Sequence, residues 1–296
     1  METSAFKSKH ERSFPYIAIS PTVVLIVLVG LLPTIYTFLL SLQEYELIKP
    51  PARFIGLANY VDLVLHNSRY LYALTFTIVF ALVATTLELL AGFLLAYLLA
   101  DKEVSESFSS AIRTLLMVPF VVAPVVVSYT FKTLIYDQTF GYLNYFLRLL
   151  YLPGFDIFQG TLNAPLGILM MEVILRTPFI AIVLYAGISS ISPSIIDASS
   201  IDGANWFQRL TRVVIPMIRP IIVVAYVLRF MDALKMFDEI YVVTGGGPGY
   251  VTENVSVFTV KQAFEFFHMG YAAAAAFLFL LAVMVIVSFL MKFAKL

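Results

Sequence analysis

Six long apolar runs, at roughly 14–42, 73–99, 111–136, 163–189, 219–243 and 271–292, alternate with short polar stretches along this 296-residue chain. Crossing a hydrocarbon core ~30 Å thick takes about 20 helical residues, so each run is long enough to span a bilayer. The pattern predicts an all-α, polytopic transmembrane bundle of six helices, with no room in the loops for a soluble domain. Lys7, Lys9 and Arg12 precede the first run as they would a signal peptide. That run is longer than a signal-peptide core and no small-residue cleavage site follows it, so it is expected to be a retained helix.

The most informative polar interruption is 197–220, DASSIDGANWFQRLTRVVIPMIRP. Ser192 before Pro193 predicts a helix start, with the hydroxyl as N-cap and proline at the first helical position. Gly203 supplies the backbone freedom for a bend after Asp202. Beyond it Trp206, Phe207, Leu210, Val213 and Val214 recur at helical period, while Gln208, Arg209 and Arg212 fall between them. Two short helices meeting at a glycine, just outside a bilayer, suit contact with a soluble partner.

Composition agrees. Apolar residues make up 60% and charged residues 13% of the chain, and the mean hydropathy of +0.91 excludes an ordinary soluble domain. Formal net charge is zero, so nothing points to nucleic acid. There is no cysteine, and His10, His66 and His268 lie on different segments, so neither disulfides nor a metal site are expected. Residues 244–249, Thr-Gly-Gly-Gly-Pro-Gly, read as a turn that needs positive φ. They lack the Lys and Ser/Thr of a phosphate loop, which leaves any ATP hydrolysis to another chain.

Orientation follows from the basic flanks. With both termini inside, Lys7, Lys9, Arg12, Lys102, Arg113, Arg209, Arg212, Arg219, Lys292 and Lys295 are cytoplasmic, and they outnumber the outer Lys49, Arg53, Arg69, Lys132, Arg148 and Lys261. The 197–220 stretch is then cytoplasmic and the glycine run outside.

Charge also falls within the apolar runs. Glu88 is in the second, Glu172 and Arg176 are in the fourth, and Arg229, Asp232, Lys235, Asp238 and Glu239 are in the fifth. Each costs about 2.5–3.5 kcal/mol at bilayer depth even on the lenient scale, so these groups should face partners or a wet cavity. Glu172 and Arg176 at i,i+4, and Arg229 and Asp232 at i,i+3, can neutralise each other on one helical face. At 100° per residue the five charges of the fifth run share one half of its circumference. They read either as ion pairs joining helices, the role expected for Glu88, or as groups that line a ligand site.

The 197–220 stretch resembles the coupling loop of ABC-importer permeases. Asp197, Ala198 and Ser199 stand in its E-A-A slots, Ile201-Asp202-Gly203-Ala204 follow at the family spacing, and Val214-Ile215-Pro216 close the motif. Aspartate replaces glutamate, which shortens the reach of the expected ion pair with an ATPase, and serine replaces the second alanine. The stretch 237–264 resembles the region after the fifth core helix of permeases for sugars and glycerol phosphate. Pro119, Phe140-Gly141 with Asn144, and Pro178 add to the match, which runs from about residue 75 to the end.

The resemblance implies a cytoplasmic tail at 1–13, a first helix and outer loop at 14–72, and a core permease domain at 73–296 whose coupling loop is 190–218. It implies a multi-pass cell-membrane subunit with both termini cytoplasmic and no catalysis or bound cofactor of its own. Its partners would be a second homologous permease, an ABC ATPase dimer using ATP-Mg, an extracytoplasmic sugar-binding protein and the lipid bilayer. Asp197, Ala198, Ser199, Asp202, Gly203 and Ala204 would couple to the ATPase. Carried over from maltose-type permeases, the sugar positions fall on Phe120, Pro124, Glu172, Leu175, Arg176, Phe179, Arg229, Asp232, Ala233 and Met236. The two positive and two negative charges among them suit a neutral di- or oligosaccharide. Glycerol phosphate or a polyol is the alternative within the class, and a secondary transporter the alternative outside it.

Overall fold

The computed structural model describes residues 9–49, 51–101 and 104–294. Most of the 1–13 tail, with Lys7, and also Lys102 and Lys295 lie outside the described residues. Helix α1 (Lys9–Leu25) runs through a wide π turn at Ile26–Leu31 into α2 (Leu32–Ser41). A short antiparallel pair follows, β1 (Gln43–Glu44) with β2 (Arg53–Phe54), then α3 (Ala58–Leu65). Helix α4 (Ser68–Leu99) is the second long span, and the Asn67 side chain caps it by accepting from Tyr70 N–H at 2.9 Å.

The third apolar run is not one straight helix. Helices α5 (Glu106–Val121) and α6 (Pro124–Thr130, extended by a π turn to Ile135) meet at 96°. Pro124 disfavours helical backbone at the residue before it, and Ala123 accordingly sits at ψ 134°. After α7 (Tyr142–Leu149) come the long α8 (Asn163–Ser189), α9 (Pro193–Ile201) and α10 (Trp206–Arg209). Helix α10 continues through a π turn at Leu210–Val214 into α11 (Ile215–Leu234). The fifth run is also broken. Its helix ends at Leu234, and Asp238 and Glu239 open a separate α12 (Asp238–Val243), so the five charges expected on one helix face belong to two helices and the break between them. Helices α13 (Val255–Val260) and α14 (Met269–Ala294) complete the chain. Among the described residues, five helical stretches are long and apolar enough to cross a membrane, and the bent α5–α6 pair, taken as one span, makes a sixth.

The chain divides into two compact units, Met1–His66 with Thr259–Leu278, and Asn67–Phe258 with Phe279–Leu296. In the first, the span Ala18–Ser41 is unburied along its most apolar stretch, as expected of a helix facing lipid, and only its last residue, Ser41, is buried. Asn59 Nδ2 donates to the Ser41 and Gln43 carbonyls at 2.9 and 3.0 Å, and Phe38 packs its ring 4.9 Å from that of Phe277.

In the second unit α4 and α8 pack along their length. Tyr70, Ala73, Thr77, Ala81, Ala84, Glu88, Gly92, Ala96 and Leu99 recur every three or four positions and form the buried face of α4. Their mostly small side chains let the neighbouring backbone approach closely. A Cβ at Gly92 would lie 2.7 Å from Ile180 Cγ2 and 3.0 Å from the Ala181 backbone nitrogen. Gly92→Val is therefore expected to lower stability by at least the ~1–3 kcal/mol typical of overpacking, read as a lower melting temperature of the purified protein. Helix α11 packs Phe230, Ala233 and Leu234 with Ala81 of α4 and with Phe279, Val283, Ile286 and Leu290 of α14.

Two loops carry side-chain pins. Asn144 donates to the Asp137 and Phe155 carbonyls and accepts from Phe155 N–H. The Phe140 and Thr139 N–H groups donate to Asp137 Oδ1, each at 2.8 Å, and hold this carboxyl below its usual range. The glycine run does adopt positive φ, at Gly245, Gly246 and Gly249, and Thr252 Oγ1 closes it by donating to the Gly247 carbonyl at 2.9 Å.

Candidate functional site

The polar elbow between the fourth and fifth spans is built as its residues suggest, with one exception. Helix α9 ends at Ile201 with Asp202 as its C-cap, Gly203 turns the chain at φ 75°, and Asn205 caps the start of α10. Asn205 Oδ1 accepts from Gln208 N–H while Gln208 Oε1 accepts from Asn205 N–H, a reciprocal cap that was not read from the sequence. The exception is Ser192, which makes no side-chain cap to α9; its hydroxyl instead meets Ser194 Oγ at 2.8 Å. Asp197, Ala198, Asp202 and Gly203 are exposed, whereas Ser199 and Ala204 are half-buried. Ile201, Trp206 and Phe207 are 86%, 51% and 63% exposed, so the elbow presents large apolar side chains beside its acidic ones. Val214 and Leu210 instead turn inward, and Val214 joins the core with Ala96, Ile180, Leu184 and Ile218.

The second feature is a network of charges at the junction of α4, α8, α11 and α12. Arg229 is buried and donates through Nε and Nη2 to both oxygens of Glu88, at 2.9 and 3.0 Å. The same Nη2 donates to Glu172 Oε1 at 3.0 Å. Arg176 donates through Nη2 to Glu239 Oε1 at 2.6 Å and lies 3.6 Å from Glu172. The pairs expected within single helices are present but longer, Glu172–Arg176 at 3.6 Å and Arg229–Asp232 at 3.8 Å. The short contacts cross between helices, which places the main balance of charge in tertiary structure. Each guanidinium group donates hydrogen bonds to carboxylates on other helices, Arg229 to two and Arg176 to one, and the forked geometry of arginine suits this.

This network borders a cavity of about 350 Å³ lined by Pro124, Glu172, Arg176, Arg229, Asp232, Lys235, Met236, Phe237, Asp238 and Glu239. Six of the ten carried-over positions thus meet at one cavity: Pro124, Glu172, Arg176, Arg229, Asp232 and Met236. Phe120 and Phe179 stack face to face at 5.6 Å and line a separate apolar cavity of about 240 Å³ with Pro178. Leu175 and Ala233 are buried in the hydrophobic core, Leu175 with Met171 and Val243 and Ala233 with Phe230.

Lys235, Phe237, Asp238 and Glu239 join the lining because the chain breaks at 235–237. Hydropathy carries no signal for that break, although Lys235 and Asp238 in an apolar run hint at it. Asn254 holds the break in place by donating to the Met236 carbonyl and accepting from Val257 N–H. The lining carries three basic and four acidic side chains, so the balance of two and two expected from the carried-over positions does not describe the whole cavity.

Comparison with known proteins places these features in context. A family model described as binding-protein-dependent transport system inner membrane component matches residues 88–294. The trehalose/maltose transport system permease protein MalF of Thermococcus litoralis is 29% identical over 99% of this chain and 96% of its own length. The trehalose transport system permease protein SugA of Mycobacterium tuberculosis is 34% identical over 95% of this chain and 89% of its own. In fold, a chain in the crystal structure of a bacterial alginate ABC transporter in complex with alginate pentasaccharide-bound periplasmic protein superposes with a TM-score of 0.83. That likeness covers 97% of this chain and 96% of the other at 20% identity.

Proposed function

This chain belongs to the family of binding-protein-dependent transport system inner membrane components, and from that premise we propose that it forms half of the translocation path of an ATP-driven importer for a di- or oligosaccharide. The observation that carries the reading is the 350 Å³ cavity at the α11–α12 break, where planar charged groups and the Phe237 ring meet. Its size falls in the roughly 300–1,000 Å³ range of small-molecule sites. Carboxylates and guanidinium groups match the paired donors and acceptors of vicinal hydroxyls, and an aromatic ring suits the apolar face of a sugar. Relatives named for trehalose and maltose transport support the same class.

The family reading supplies the partners. A second, homologous permease chain completes the path, and an extracytoplasmic binding protein delivers the sugar. An ABC ATPase dimer engages the α9–Gly203–α10 elbow and uses ATP-Mg; this chain does no hydrolysis. Both termini and the elbow lie in the cytoplasm. Closure of the ATPase pair pushes the elbow, and the helices rock so that the cavity opens to one side at a time.

Cysteine crosslinking tests the elbow. With Ala198→Cys or Ala204→Cys, crosslinks are expected to the ATPase subunit. Arg209→Cys should be protected from an impermeant reagent in intact cells, whereas a tag beside Gly249 should be labelled. Outside labelling of Arg209→Cys would reverse the orientation and remove the importer reading.

A further inference from the structure

The cations around the cavity are already engaged. Arg229 is held by Glu88 and Glu172, Arg176 by Glu239 and Glu172, and Lys235 by Asp232 at 3.2 Å. Two acceptors remain, together with one donor, Arg176 Nε, which is also buried without a hydrogen-bond partner among the described residues. Glu172 is 1% exposed and lines the cavity, yet its Oε2 has no hydrogen-bond partner among the described residues. Asp238 is half-buried in the lining and has no ion pair among the described residues. Four acidic residues against three basic ones line the space, and Glu88 behind Arg229 adds a fifth acid.

We propose that this cavity is a charge filter. It admits neutral or aminated saccharides, whose hydroxyl or ammonium hydrogens reach Glu172 Oε2 and Asp238, and it turns away saccharides bearing a carboxylate or phosphate. The inference rests on the sugar reading above and adds the substrate class within it. The physical reason is that an anion entering the cavity meets no unpaired cation: the open donor, Arg176 Nε, belongs to a guanidinium already paired with Glu239 and Glu172. At that donor it would crowd Glu172 and Glu239 while still facing Asp238, in surroundings less screened than water. A neutral sugar meets no such opposition. An ammonium adds attraction.

The test uses the purified permease complex without its binding protein, so that delivery does not set the specificity. Apparent dissociation constants would be read from ligand-dependent melting shifts with trehalose, an amino-substituted trehalose and the matching uronic acid. At low salt the uronic acid is expected to bind at least ~10-fold more weakly than trehalose, and the amino sugar at least as tightly. Raising salt should shrink both differences. Asp238→Asn should narrow the ratio of uronic acid to trehalose binding several-fold. The salt series keeps the test decisive if that variant folds poorly. Equal binding of acidic and neutral analogues at low salt would overturn the filter and leave the sugar reading standing. Failure of every saccharide to bind would overturn both.

Discussion

Arg229→Met is expected to abolish stable accumulation of the chain in the membrane. The guanidinium is 3% exposed and is the main partner of Glu88, which is itself 0% exposed, and it also bonds Glu172. Removing it strands Glu88 and leaves Glu172 with only the longer 3.6 Å contact to Arg176, and breaking a buried ion pair on one side costs about 3–5 kcal/mol. That is a large share of a typical 5–15 kcal/mol folding margin. The triple change Glu88→Gln, Glu172→Gln and Arg229→Met removes the stranded charges together, so much of the lost stability should return. The readout is the melting temperature and yield of the purified complex. A near-parental melting temperature for Arg229→Met alone would show that this network does not hold α4, α8 and α11 together. Transport by the triple variant carries separate information. Recovery of folding without recovery of uptake is the pattern expected if Glu172 and Arg229 also contact the sugar.

The second large effect is expected at the elbow. Gly203 sits at φ 75°, and its N–H donates to the Ser200 carbonyl at 3.1 Å. Proline fixes φ near −65° and has no N–H, so Gly203→Pro cannot keep this turn. Nothing lies within 4 Å of a Cβ built at Gly203, so the damage is to backbone conformation and stays local. The chain should insert and assemble, but ATP-driven uptake should fall by at least ~10-fold, since a strained residue of this kind costs about 1–3 kcal/mol. Gly203→Ala, which incurs about 1–2 kcal/mol of left-handed strain but keeps the N–H, should lose less. Normal uptake with Gly203→Pro would remove the elbow from the coupling path.

Much of this architecture was legible because its signals are local. Apolar run length marks a span, and a glycine between two periodic stretches marks the elbow. The breaks were harder. Hydropathy is blind to a bend inside an apolar segment, so 111–136 and 219–243 each read as one helix. Pro124 carried the information for the first break, through its restriction of Ala123. The second break has no proline and depends on Asn254, eighteen positions beyond the carbonyl it holds. Pairing within the network was least accessible. Glu172 and Arg176 are neighbours on one helix and could be paired by spacing, but Arg229 and Glu88 are 141 positions apart. Hydrogen bonds at that separation follow from helix packing, which no local pattern encodes. For the same reason the sequence pointed to Glu172, Arg176, Arg229 and Asp232 without pointing to the surplus of acid that Asp238 and Glu239 bring to the lining.

The most direct measurement is uptake of a radiolabelled disaccharide such as trehalose into proteoliposomes that hold the purified complex, with its binding protein outside and ATP-Mg inside. The expected result is accumulation against a gradient that needs ATP, the binding protein and the ATPase chain together, and that is lost with Gly203→Pro. Accumulation by this chain alone, driven by an ion gradient without ATP, would contradict the importer reading.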